Sequence, residues 1–326
     1  MQTKIAANAS AFRRWLAKSE ETLGNHSDRL NAINIFPVAD GDTGTNLYLT
    51  MRAANRAAQQ NESSDLGVLL SAAAQAAMEE ARGNSGTLIA VFLAAMAEPL
   101  QGATRLSAPL LAAALRRAQI RSWSALSDPI QGTMLSVLEA AAEGAVTADD
   151  ALGGDDSNHA LSVALDATVA AALEGVVRTE QQLSELQRAQ VVDAGGVGLL
   201  LVLDNLRAVI LHQELQANLL DGLAGYDVHK THIHQSMSVI EGVEVMCTIA
   251  LSPLDAANLR MKLDELGNSV IMSPMAQEGE QEIYRWRVHV HADEPDATLT
   301  AIRALGEPMN VTVAELRAAT HDHADG

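Results

Sequence analysis

Asp40 and Asp42 stand two apart in a glycine-flanked turn, within the stretch NIFPVADGDTGTNLYLTM at residues 34–51. Two carboxylates at that spacing can converge on one hard cation, which takes oxygen ligands and usually keeps waters. The chain then passes through Thr43, Gly44, Thr45 and Asn46 into an apolar, helix-favouring run. The free N–H groups at such a helix start favour an anion. A carboxylate pair beside a helix N-terminus could therefore set Mg2+ and phosphate side by side. A capped turn, in which Asp and Thr only satisfy backbone donors, accounts for the same residues.

Three further loops repeat the pattern of glycine with a small polar side chain at a helix start. They are ARGNSGT with Asn84, Ser85 and Gly86, QGTMLS with Gly132, Thr133 and Met134, and VVDAGGVG with Asp193, Ala194, Gly195 and Gly196. Glycine lets the backbone approach a ligand closely, and hydroxyl or amide groups can contact it. Each loop alone is only a helix start. Four of them read as one phosphate and nucleotide site at one end of a bundle. The usual phosphate-binding fingerprints, GxxxxGK[ST] and GxGxxG after a strand, are missing, and so is a GxSxG nucleophile elbow.

A second constellation lies in EIYRWRVHVHAD. Read as a strand, it puts Arg285, Arg287, His289 and His291 on one face and Tyr284, Trp286, Val288 and Val290 on the other. Two histidines at i and i+2 suit a shared metal such as zinc. In a βαββαβ sheet the first and third strands are neighbours, so Cys247 could be the third ligand. Yet Cys247 alternates with Val245 and Ile249, an apolar set, which leaves a buried cysteine and two solvated histidines as the other reading. His229, His232, His234, His321 and His323 read as solvated.

The elements that must hold these residues divide the chain. From residue 10 to about 217 nearly every segment reads as helix, starting with Ser10 as a cap and Gly24 as a stop. Helical runs follow Asn46 and occupy 66–81, 85–98, 106–118, 132–145, 157–176, 180–190 and 197–217. Beyond a linker at 218–235, the order is strand, helix, strand, strand, helix, strand, which is βαββαβ. Ser252, Pro253 and Gly267 mark the first of those helices as cap, first position and stop. The expected architecture is multidomain: an all-α helical domain at 1–217, the linker, an α+β domain at 236–318 and a tail at 319–326.

Hydrophobic residues make up 48% of the 326 but aromatics only 3%, so the core is built from alanine, leucine, valine and methionine. That composition favours packed helices. A net charge of −19 and few aromatics argue against a nucleic-acid surface. One cysteine rules out an internal disulfide framework, and MQTKIAANASAFRRW has no signal-peptide core. Apolar stretches such as LIAVFLAAMA fall short of the roughly 20 residues that span a bilayer. A cytoplasmic protein with no membrane span is expected. A sheet with one open face would need covering, so a homodimer through that face is a further expectation.

INIFPVADGDTGTNLYLTM, ARGNSG, GTMLSV and VVDAGGVG, in that order, closely resemble the nucleotide-binding domain of bacterial fatty acid kinases, shared with the L subunit of dihydroxyacetone kinase. MCTIAL and VHVHADEPDATL resemble the middle domain of the fatty acid kinases. The resemblance implies an antiparallel helical barrel binding ATP with two Mg2+ ions at its loop end, Asp40 and Asp42 being the metal-holding acids. Dihydroxyacetone kinase has a third aspartate just upstream, where this sequence offers Asn34. Thr45, Asn46 and Ser85 match positions near the phosphates, and Thr133 with Asp193 to Gly196 match the nucleoside side. The resemblance also implies a Cys and His-x-His zinc site, matched to Cys247, His289 and His291. The implied activity is phosphorylation of a fatty acid carboxylate presented by a separate fatty-acid-binding carrier protein. Full-length members carry a further C-terminal lobe that engages that carrier, and this sequence stops after the middle domain. A nucleotide-binding regulatory protein with little phosphotransfer, or a dihydroxyacetone kinase-like subunit, are the competing readings.

Overall fold

The computed structural model describes residues 5–226, 242–277 and 282–315. His229, His232, His234, His321 and His323 lie outside the described residues, as do much of the expected linker and the tail.

Nine helices precede the first strand among the described residues. They are α1 (Ala9–Ala32), α2 (Thr43–Gln60), α3 (Leu66–Glu80), α4 (Gly83–Ala97), α5 (Ala108–Ala125), α6 (Met134–Ala151), α7 (Asn158–Gln182), α8 (Ser184–Ala189) and α9 (Ala194–Leu211). From α1 to α7 each helix packs on the next, and α9 closes the ring between α7 and α1. Gly24 does not stop α1, which runs on to Ala32. Its missing side chain is used instead for packing, since a Cβ there would lie 3.2 Å from the Tyr48 ring of α2. Asn8, rather than Ser10, caps α1 by accepting the Ala11 N–H at 3.2 Å.

The core is aliphatic with few anchoring rings. Phe12 and Trp15 are fully buried and meet edge to face at 5.4 Å. The Trp15 indole N–H donates to the Val202 carbonyl at 2.9 Å, which satisfies a polar group that burial would otherwise leave costly. α7 and α9 are long and apolar enough to cross a membrane by length and composition alone, a test that a buried core helix also passes. For α9 the cause is its position inside the barrel, with 94% of its most apolar window buried.

The second unit is β1 (Val243–Leu251), α10 (Pro253–Leu266), β2 (Gly267–Gln277), β3 (Tyr284–Ala292), α11 (Pro295–Arg303) and β4 (Met309–Glu315). Its strands are ordered β2-β3-β1-β4, all pairs antiparallel, as the βαββαβ pattern predicts. Ser252 caps α10 by accepting the Asp255 N–H at 3.1 Å. Val245, Cys247, Ile249, Val288 and Val290 form a core of their own with Leu259 and Leu263 of α10.

The other sheet face is covered along β1, β2 and β3, while β4 is exposed throughout. It carries Met246, Thr248, Ser273, Arg287, His289 and His291, all buried. Arg287 donates to the Ala81 carbonyl at 3.3 Å, and Arg260 reaches Ser124 O at 3.1 Å, Ala125 O at 3.0 Å and Ser127 Oγ at 3.0 Å. Ser127 N–H donates to Val270 O at 3.1 Å, and Leu126 pairs with Ile271 as an isolated bridge. The helical domain thus covers the β1–β3 part of the sheet face through which a homodimer was expected, and β4 is left exposed, Met309, Val311 and Val313 included.

Candidate active site between the two domains

The loops of the helical domain that carry the four motifs meet the second domain along a cleft of about 480 Å3. That volume is within the range of small-molecule sites. Thr43, Asn84, Ser85, Thr133, Met134, Asp193 and Gly195 line it. A small adjoining cleft shares Pro37, Thr43, Asn84 and Ser85 with it and adds Asn34, Asp40, Asp42, Asn46, Glu244 and His291.

Asp42 occupies the N-cap position of α2 but makes no side-chain cap bond. Asn31 of α1 takes that role, its Oδ1 accepting Gly44 N–H at 2.7 Å and Thr45 N–H at 3.2 Å. The Asp42 carboxylate is left for the cleft. Asp40 lies beside it, held by the Asn34 amide at 2.6 Å. Burial first, then the neighbouring Asp42 charge, push the Asp40 carboxyl well above the usual carboxylate range. Two crowded acids that resist ionising together are the donor set that a divalent cation relieves. Thr43 Oγ1 and Ser85 Oγ lie 3.4 Å apart and join the first loop to the second. Asn84 Oδ1 is buried without a hydrogen-bond partner among the described residues.

Some expected contacts go elsewhere. Gly44 and Thr45 do not line the cleft: Asn31 holds their N–H groups, and the Thr45 hydroxyl accepts from the Asn31 amide at 3.0 Å. Gly44 faces the Ser27 carbonyl, where any Cβ would collide. Gly86 is a helix-crossing residue, a Cβ there falling 2.5 Å from Thr50 Oγ1 of α2. Gly132, at φ +83°, gives its N–H to Ser136 Oγ at 2.9 Å and packs on Gln182. Ala194 is buried, and Gly196 gives its N–H to Asp193 Oδ2 at 2.7 Å. Those positions shape the helix starts without facing the cleft.

Asp193 is a working cap. Its carboxylate accepts Gly196 N–H and also the backbone N–H of Met134, so one side chain serves the starts of α9 and α6. Burial nevertheless pushes it up to about 7. Thr133 caps α6 weakly through Leu135 N–H at 3.4 Å and donates to Ile130 O at 2.9 Å.

The metal set expected in the second domain changes by one residue. Cys247 pairs with Val288 across the strands and sits in the apolar core, where burial pushes its thiol up to about 11. It is on the wrong sheet face to join the histidines. Glu244 replaces it: the pairs Glu244↔His291 and Met246↔His289 put Glu244 on their face, and ligand atoms of Glu244, His289 and His291 lie within 4.8 Å of one another. Glu244 Oε1 is 3.3 Å from His289 Nδ1 without being aligned for a hydrogen bond. Both His289 ring nitrogens and His291 Nδ1 are buried and unpartnered among the described residues. Burial, reinforced by His291 and Arg287, lowers His289 well below its usual value, and burial holds His291 at about 4. Neutral imidazole is the metal-binding form. Glu244 lines the small cleft with Asp40 and Asp42 as a third carboxyl, and burial and the Asp42 charge push it up to about 7. Alternation could have revealed Glu244, since it shares a β1 face with Met246 and Thr248 rather than with Cys247.

Comparison with known proteins agrees with this division. Residues 37–208 match the model of the DAK2 domain, and residues 241–323 match that of the FakA-like middle domain of fatty acid kinase. Protein YloV of Bacillus subtilis (strain 168) is 29% identical over 318 residues, covering 94% of this chain and 55% of that protein. An uncharacterized protein of Staphylococcus aureus (strain bovine RF122 / ET3-1) is 25% identical over 318 residues, covering 95% and 56%. The chain spans about half the length of these curated relatives. With the helical domain, its loop motifs and the following α+β unit all in the matched order, the chain belongs to the DAK2-domain family, in the branch that carries a FakA-like middle domain.

Proposed function

We propose that this chain is an ATP-dependent kinase component that phosphorylates a fatty acid carboxylate, presented by a separate fatty-acid-binding protein, to give an acyl phosphate. The observation that carries the reading is the state of Asp42, a helix-start aspartate relieved of capping by Asn31 and turned to a cleft shared with Asp40, Asn84 and Ser85. Asp40 and Asp42 would hold the Mg2+ of Mg-ATP, with Asn34 fixing Asp40 in place. Bound Mg2+ supplies charge neutralisation for the transferring phosphoryl group. The residues of this chain supply position: Thr43, Asn84 and Ser85 stand beside the aspartates, and Thr133, Met134, Asp193 and Gly195 line the rest of the cleft. A carboxylate acceptor is already anionic at neutral pH, so the reaction needs no strong general base. Glu244, His289 and His291 would hold a further divalent metal, zinc being the natural occupant of a two-histidine, one-carboxylate set.

The test is an incubation of the protein with Mg-ATP and a fatty acid, with and without a fatty-acid carrier. Acyl phosphate formed only with carrier is the expected result. Full turnover by Asp42→Ala, or ATP binding without any transfer, overturns the kinase reading.

A further inference from the structure

Part of the cleft wall comes from outside the helical domain. Asp264, Gly267, Asn268 and Ser269, at the corner where α10 turns into β2, line the same cavity as Met134, Asp193 and Gly195. The corner is held firmly. Ser269 sits at φ +54° where β2 shifts register against β3, Val270 accepts the Ser127 N–H at 3.1 Å, and Ile271 bridges to Leu126. One helical turn before Asp264, Arg260 is committed to three oxygens at the end of α5.

Charge orients whatever binds. Asp40 and Asp42 form a close acid pair that suits a cation, so a polyphosphate can lie beside them once Mg2+ is present. Asp264 and Asp128 also line the cleft, and Asp264 lies near enough to Arg260 to interact with it electrostatically. Carboxylates repel phosphate and accept hydrogen bonds from hydroxyls. Leu88, Leu126, Ile130 and Leu135 supply the apolar bed that a base needs. In dinucleotide-binding folds an acidic side chain holds the ribose hydroxyls by the same chemistry.

We infer that the second domain is half of the nucleotide site: Asp264, with Asn268 beside it, accepts the ribose hydroxyls of the nucleotide whose phosphates lie at Asp40 and Asp42. The inference rests on the nucleotide reading above. It makes the α10–β2 corner the element that distinguishes ribonucleotides from deoxynucleotides.

Calorimetric titration of the whole chain with Mg-ATP, Mg-2′-deoxy-ATP and Mg-3′-deoxy-ATP tests it. The unmodified protein is expected to prefer ATP. Asp264→Ala should weaken ATP binding by roughly tenfold, the scale of a hydrogen bond to a charged group, and each deoxy-ATP, which keeps one of the two hydroxyls, by less, so the preference disappears. Asp264 is exposed, so the variant should melt with the parent, and Asp264→Asn gives a second variant of equal size. A preference that survives both substitutions, that is lost in Asp128→Ala instead, or that the parent never shows overturns the inference while leaving nucleotide binding intact. A parent that binds none of the three overturns the nucleotide reading itself.

Discussion

Asp42 stands before α2 and Asp193 before α9, each at the N-cap position of a helix whose start borders the cleft. Asp193 accepts N–H groups from two helix starts and is buried beneath them. Asp42 accepts none, because Asn31, reaching across from α1, has already satisfied Gly44 and Thr45. The same residue type at the same helix position is therefore architecture in one place and available chemistry in the other. What separates them is whether another side chain has taken over the capping.

The largest effect that tests this contrast is on turnover. Asp42→Ala should lower phosphoryl transfer by on the order of 10²–10³ or more, as loss of preorganised electrostatic stabilisation does. Its melting temperature should not fall, because a charge crowding Asp40 is removed and no cap is lost. Acyl phosphate formation and a thermal melt on one preparation check both halves. A variant that keeps turnover but melts several degrees early would make Asp42 a second Asp193.

Next in size is the metal of the second domain. Glu244→Ala and His289→Ala should each cost about 10–100-fold or more in metal affinity, that range being what removal of an outer-shell partner already costs. Cys247→Ser should leave metal content unchanged and lower stability by about 1–3 kcal/mol, because it puts a hydroxyl among apolar side chains. Metal analysis of the purified variants decides. Zinc that follows Cys247 rather than Glu244 would refute the assignment by sheet face.

Asp193 supplies the third test, by pH. Its folded pKa, pushed up to about 7, lies above the unfolded value near 4, so the native state holds a proton that the unfolded chain releases. The stability this contributes is full below about pH 4 and is lost as pH rises through about 7. Asp193→Asn keeps an oxygen acceptor for Gly196 but does not titrate. Relative to the parent, its stability should rise between pH 4 and 7, by at most about 1.4 kcal/mol per pH unit, and level off above. Urea melts across that range measure the slope, and a constant gap removes the buried-carboxylate account.

The legible part of the molecule was what local chemistry determines. Helix periodicity, the Ser252 and Pro253 start of α10 and the alternation in β3 are set by neighbours in sequence, and they matched. Cleft residues inside the motifs, such as Asp42, Asn84, Ser85 and Asp193, were legible for the same reason. What was missed depends on partners distant in sequence. Gly24 looks like a stop until Tyr48 is packed on it, and Gly86 looks like a phosphate loop until Thr50 fills the space. Cys247 looks like a ligand until the register shows which face it takes. Alternation places Glu244 on the histidine face of the sheet, but that face and Asp264 reach the helical loops only because the second domain docks on the first, and no local pattern encodes that docking.

The smallest effect tests Asn31, the residue that frees Asp42. Asn31→Ala should remove the cap of α2 and cost about 1 kcal/mol, the usual value for losing such an acceptor. The orphaned N–H groups of Gly44 and Thr45 would then be open to the nearest carboxylate, and Asp42 is at the N-cap position to take them. If it does, the variant loses turnover as well as stability, although Asn31 lines neither cleft. Restoring an acceptor with Asn31→Asp should recover the melting temperature and the turnover together. Turnover unaffected by Asn31→Ala would show that Asp42 keeps its orientation without help from α1, and the contrast with Asp193 would then need another cause.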